Sequence, residues 1–156
     1  MNKIILLDST PVGLITNPRN SRKNEQSQQC QMWFDWHISE DNKFVLPEII
    51  DYEIRRELLR SDKQAGLKKL DRLKSLIIYL PITTKAMLKA AELWAEVRKR
   101  GKPTADNKAL DSDVILAAQA IILQETILLE NNLYQDNVVI ATRNTKHLSL
   151  FTKAEE

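Results

Sequence analysis

The chain has little of what usually carries recognisable chemistry. Among its 156 residues there is one cysteine, Cys30, and two histidines, His37 and His147. A single thiol forms no internal disulfide and fits a reducing compartment. One cysteine and two distant histidines do not supply the clustered ligands of a structural zinc site. Three glycines and five prolines leave little room for long linkers. The first apolar run, residues 4–7, stops at Asp8. A signal peptide core needs roughly 7–15 apolar residues and a membrane span about 18. The expectation is therefore a soluble cytoplasmic protein with no membrane partner. Charge of one sign is also missing, with 23 basic against 21 acidic residues, so any anion site must come from local arrangement.

What is present suits one globular domain over residues 1–156. The chain is 43% hydrophobic and 28% charged, ordinary values for a packed protein. Residues 3–7 read as a short strand buried on both faces, because the apolar run does not alternate. Asp8-Ser9-Thr10-Pro11 then starts a short helix reaching Thr16. Residues 18–30 read as a polar loop, followed by a helix with Met32, Trp33, Phe34 and Trp36. Phe44-Val45-Leu46 is a second strand, and Pro47 opens a helix with Ile49, Ile50, Ile54 and Leu58 on one face. A helix over 65–76 and a strand over 76–80 follow. Thr83 or Thr84 caps a long helix ending near Gly101, and 101–110 is a loop. Val114, Ala117, Ala118, Ile121 and Ile122 have helical spacing, and 138–142 is a fourth strand. Short buried strands alternating with helices predict a three-layer α/β/α sandwich on a mainly parallel sheet. Ligands of such sheets bind outside the carboxyl ends of the strands.

Acidic residues fall at that edge. Asp8 follows the first strand directly, where a helix N-cap is the plain alternative. Glu53 borders an apolar stripe. A carboxylate there needs a compensating cation or donors, and Arg56 or Arg60 are candidates. Asp111 and Asp113 are expected to open the helix that bears Val114, favoured there by its dipole. Thr142-Arg143-Asn144 follows the fourth strand, and Asn144 offers a neutral oxygen or a turn. Several carboxylates at one edge repel unless a proton or cation intervenes. Oxygen-only donors suit Mg²⁺ or Mn²⁺, and such ions serve phosphodiester hydrolysis without a side-chain nucleophile.

Four segments resemble the PIN domain, and within it the VapC-like toxin ribonucleases of toxin–antitoxin modules. They are Ile5-Leu6-Leu7-Asp8-Ser9-Thr10, the stretch from Pro47 to Leu58, the stretch from Leu110 to Ala118, and the stretch from Ala141 to Leu148. Each motif is short, but together they keep the family's order through nearly the whole chain. The resemblance implies a PIN-like fold and a Mg²⁺-dependent endoribonuclease. It implies a homodimer, silenced by an antitoxin protein whose tail enters the acidic groove. It makes Asp8, Glu53 and Asp113 the acidic metal-binding residues, with Asp111 a plausible fourth and Ser9 and Thr142 in support. Asn144 falls where some members carry Asp and many Asn, so the fourth ligand and the choice of one or two metals stay open.

An RNA substrate needs phosphate contacts, for which Arg55, Arg56, Arg60, Arg143 and Lys146 are placed. For each of them the plainer reading is a solvated, salt-bridged face, as it is for the Arg98-Lys99-Arg100 run at a helix end, where the dipole already favours cations. Trp33, Phe34 and Trp36 can stack on bases, although such clusters more often form core or interface. Cys30 reads as a packed small residue, and the histidines as structural or exposed. A non-catalytic RNA- or protein-binding module on the same fold is the alternative. An aspartate-based phosphatase fits poorly, since Thr10 stands where that chemistry wants a second Asp.

Overall fold

A computed structural model of the chain describes residues 2–16, 24–101, 107–130, 137–143, 148 and 152–156. Its elements are β1 (Lys3–Leu7), α1 (Ser9–Thr16), α2 (Asn24–Ser39), β2 (Lys43–Pro47), α3 (Glu48–Arg60), α4 (Gln64–Leu76), β3 (Ile78–Leu80), α5 (Thr84–Lys99), α6 (Asn107–Glu130), β4 (Asn137–Ala141) and β5 (Ala154–Glu155). The five strands form one sheet in the order β3-β2-β1-β4-β5, and every pairing is parallel. In register, Ile5 lies between Phe44 and Val139. β1 is thus the central strand, with Ile5, Leu6 and Leu7 almost fully buried. That two-sided burial is the reason its sequence is continuously apolar.

The strand order reverses at β1. From β1 the chain steps to β2 and β3 on one side, and then returns to place β4 and β5 on the other. The cleft beyond the carboxyl ends of β1 and β4 is therefore the topological switch point, where doubly wound sheets take their ligands.

Among the described residues, two clusters make the core. The larger joins the strands to Val12, Phe34, Ile50, Leu70, Leu116 and Leu148, and the smaller packs Ala90, Leu93 and Val97 against Leu110, Val114 and Ala117 between α5 and α6. Buried Gln119 ties the layers together. Its side-chain amide donates to the Leu80 carbonyl at 2.9 Å, and its oxygen accepts from the Ile49 amide at 3.5 Å. By length and composition alone, Leu110–Glu130 could cross a membrane, which the short N-terminal run did not anticipate. Within it Leu116, Ala117, Ala118 and Ala120 are buried against α5 and the sheet, whereas Leu128 and Leu129 are exposed.

Several boundaries differ from the sequence reading. α2 begins at Asn24, so much of the polar 18–30 stretch is helix. Polar residues suit it because Glu25, Gln26, Gln28 and Gln29 are on an exposed or half-exposed first half. Pro47 ends β2 and is the N-cap of α3. β3 starts at Ile78, since Leu76 still closes α4. β4 ends at Ala141, which leaves Thr142 just beyond the sheet. α6 begins at Asn107, earlier than the expected loop end, so Asp111 and Asp113 do not open it and its first turn holds no acid. The dipole argument for these two residues therefore lapses.

Candidate functional site

The site is built where β1 and β4 run out together. The Asp8 amide still donates to the Ala141 carbonyl at 3.1 Å, which carries the strand pairing one residue past β1. The Thr142 amide donates to the Glu155 carbonyl at 2.9 Å, so β5 fixes the backbone of Thr142 from the other side. Between these two anchored residues the side chains meet. The Thr142 hydroxyl donates to Asp8 Oδ2 at 2.5 Å, and the Ser9 amide donates to Oδ1 at 2.7 Å. The Asp8 carbonyl also accepts from the Val12 amide at 3.3 Å, the first bond of α1. Asp8 therefore does occupy the N-cap position. Its carboxylate, however, is shared with Thr142 across the sheet, a task a simple cap does not need.

Glu53 lies in the second turn of α3, which packs on α1 and α6. Neither arginine proposed to neutralise it does so. Arg60 pairs with Glu57 at 2.9 Å, and the Arg56 guanidinium lies over the Tyr52 ring, 5.2 Å from its centroid. Among the described residues, Glu53 Oε1 is a buried side-chain oxygen with no hydrogen-bond partner. Leaving a buried acceptor unpaired costs about 1–3 kcal/mol, and more for a charged one. An oxygen held at that cost is suited to receive a cation.

Asp113 is half-buried on α6 and Asp111 is exposed. Among the described residues, no three Asp, Glu, His or Cys side chains form a group able to hold a metal ion. Asp8 is thus joined to Thr142 and Ser9, while Glu53 and Asp113 stand on separate helices without closing a cage around it. Asn144, Lys146 and His147 lie outside the described residues.

Of the basic candidates, Arg55 is already committed. It makes 3.0 and 3.2 Å hydrogen bonds to buried Asp51 and a 2.8 Å ion pair to Asp71, joining α3 to α4. These partners, Asp51 first, hold its guanidinium charged even more firmly than usual. Arg143 is exposed at the end of β4. It lines a groove of about 170 Å³ with Thr10, Leu14, Cys30, Trp33 and Thr142, immediately beside Asp8. Burial pushes the Cys30 thiol up despite the nearby Arg143 charge. Cys30 is therefore a packed thiol and not an activated nucleophile. Phe34 stacks on Phe44 at 4.3 Å as core, whereas Trp36 is exposed. His37 accepts from Asn42 Nδ2 at 2.8 Å, and burial lowers its pKa.

Comparisons with known proteins agree with this architecture. Over 97% of both chains, the structure resembles one of VapBC2 from Rickettsia felis bound to a DNA fragment from its promoter, with TM-score 0.65 and 17% identity. It resembles VapBC-1 from nontypeable Haemophilus influenzae with TM-score 0.66 and 16% identity, over 98% of this chain and 97% of that one. DNA-bound VapBC from Salmonella typhimurium gives TM-score 0.56 and 18% identity, over 99% and 98%. No family model and no curated protein matches the chain. At this identity the shared property is the fold, and the PIN-like α/β/α sandwich expected from the sequence is borne out.

Proposed function

We propose that the protein is a divalent-metal-dependent endoribonuclease and the toxin of a toxin–antitoxin pair. The carrying observation is the Asp8 carboxylate, clamped by Thr142 and Ser9 at the switch point of the sheet, with the unpartnered Glu53 oxygen on the neighbouring layer. These hard oxygen donors fit Mg²⁺ or Mn²⁺. Asp8 and Glu53 would hold the ion, together with Asp113 and with Asp111 or Asn144 as a fourth oxygen. Once bound, the ion lowers the pKa of water and offsets charge on the phosphate oxygens. Thr142 orients the Asp8 carboxylate, and its backbone is in turn fixed by β5. Arg143 beside it and the exposed Arg56 are placed to hold phosphates. The likeness to VapBC structures supports an antitoxin partner. The same reading carries a cytoplasmic homodimer.

The test is incubation of purified protein with single-stranded RNA in Mg²⁺, Mn²⁺ or EDTA. The expected result is endonucleolytic cleavage that needs the ion and is lost in Asp8→Asn. Cleavage that survives both EDTA and Asp8→Asn overturns the mechanism. The absence of a closed three-carboxylate group among the described residues favours a second reading, a non-catalytic RNA- or protein-binding module. That reading expects binding without cleavage in any metal, and toxicity unchanged in Asp113→Asn.

A further inference from the structure

We infer that the groove beside Asp8 is a base-recognition pocket, which takes the nucleobase next to the scissile phosphate and favours bases carrying an exocyclic amine. The inference rests on the ribonuclease reading and deepens it. Three observations carry it. The first is position. Thr142 lines the groove and also holds Asp8, so a strand whose phosphate lies at Asp8 has its neighbouring base at the groove mouth. The second is size. At about 170 Å³ the groove is below the roughly 300–1,000 Å³ of pockets for drug-sized ligands. It accepts a single ring system and not a helix. The third is chemistry. The Trp33 ring is held edge-on by Phe44 at 5.3 Å and His37 at 5.0 Å. It borders the groove as a rigid aromatic wall, and Leu14 of α1 lines the same groove. Arg143 supplies a cation at the rim, next to the phosphate path. Glu156 also lines the groove. Its carboxylate only accepts hydrogen bonds, so it pairs with the exocyclic amine of adenine, cytosine or guanine, whereas uracil offers it only an N3–H flanked by two carbonyl oxygens that repel it.

The test uses short RNAs of mapped cleavage site in which the flanking nucleotide is adenosine, cytidine, guanosine, uridine or abasic. Wild type is expected to cleave the amine-bearing RNAs on the order of 10-fold faster than the abasic one, as loss of one stacked base predicts. In Leu14→Phe, which fills the groove, this ratio falls to near one. In Glu156→Gln the discrimination against uridine is lost. A second measurement needs no cleavage. In Asp8→Asn with Trp36→Phe and Trp94→Phe, Trp33 is the sole indole, and adenosine 5′-monophosphate is expected to quench its fluorescence more than uridine 5′-monophosphate. Quenching without cleavage keeps the pocket and removes the ribonuclease. Cleavage with equal rates on all five RNAs, or no quenching by either nucleotide, overturns the pocket. So does a Leu14→Phe variant that loses only the binding of an antitoxin protein.

Discussion

At the scale of single residues, the account depends on how the sheet holds one carboxylate. Asp8 was legible because it interrupts the first apolar run where a buried strand must end. Its partner Thr142 lies 134 positions away, and no local pattern encodes a contact of that separation. The structure predicts that Thr142→Val, which keeps the shape and removes the donor, lowers cleavage about 10- to 100-fold, the usual scale for losing a group that orients a metal ligand. Comparing kcat of the variant and wild type at saturating Mg²⁺ checks this. Glu53 makes a sharper prediction because its oxygen is unpartnered. On the proposed reading, adding Mg²⁺ to the wild type is expected to raise the melting temperature, by an amount equivalent to about 2.7 kcal/mol at a hundredfold excess over Kd. In Glu53→Gln the rise is much reduced. Differential scanning fluorimetry with and without Mg²⁺ reads both. Arg55 shows where charge alone misleads. Its place one turn after Asp51 favours an i,i+4 ion pair, and Asp71 completes its satisfaction from α4.

At the scale of elements, capping and glycine placement were readable and helix starts were not. Thr83 caps α5 as its sequence suggested, accepting from the Ala86 amide at 3.1 Å. Thr83→Ala is expected to cost about 1 kcal/mol. Gly101 ends the α5 turn at φ +65°, where a Cβ costs roughly 1–2 kcal/mol, so Gly101→Ala destabilises by that order. Urea denaturation of both variants checks the two values. The first turns of α2 and α6 escaped notice because a polar or mixed sequence carries only a weak local helix signal. β5 escaped for a related reason. Two residues, Ala154 and Glu155, have no periodicity, and the strand exists only because β4 offers an edge.

At the scale of the whole molecule, alternating strands and helices predicted the layers, but not the order in which the strands lie. That order makes the β1–β4 cleft the switch point and brings Asp8, Thr142 and the adjacent groove together. The layers are also fastened by ionisable groups, which gives the fold a pH signature. The Tyr79 hydroxyl donates to Glu48 at 2.9 Å, and Glu48 also accepts from the Ile82 amide at 2.8 Å. Burial first, and then this bond, push Tyr79 up to about 12. Its folded pKa exceeds the unfolded value near 10. The folded state therefore holds the proton more tightly, and the contribution to stability is full below pH ~10 and disappears as pH rises toward 12. Tyr79→Phe should flatten the stability curve in that window, measured by urea midpoints across alkaline pH.

The most direct measurement is a crystal structure grown with Mn²⁺, with its anomalous signal used to place the ion. The account predicts a peak in direct coordination to Asp8, with Glu53 Oε1 turned toward it and the Thr142 hydroxyl still on the other Asp8 oxygen. Protein that cleaves RNA in Mn²⁺, yet shows no peak at Asp8, or binds the ion elsewhere, would contradict it.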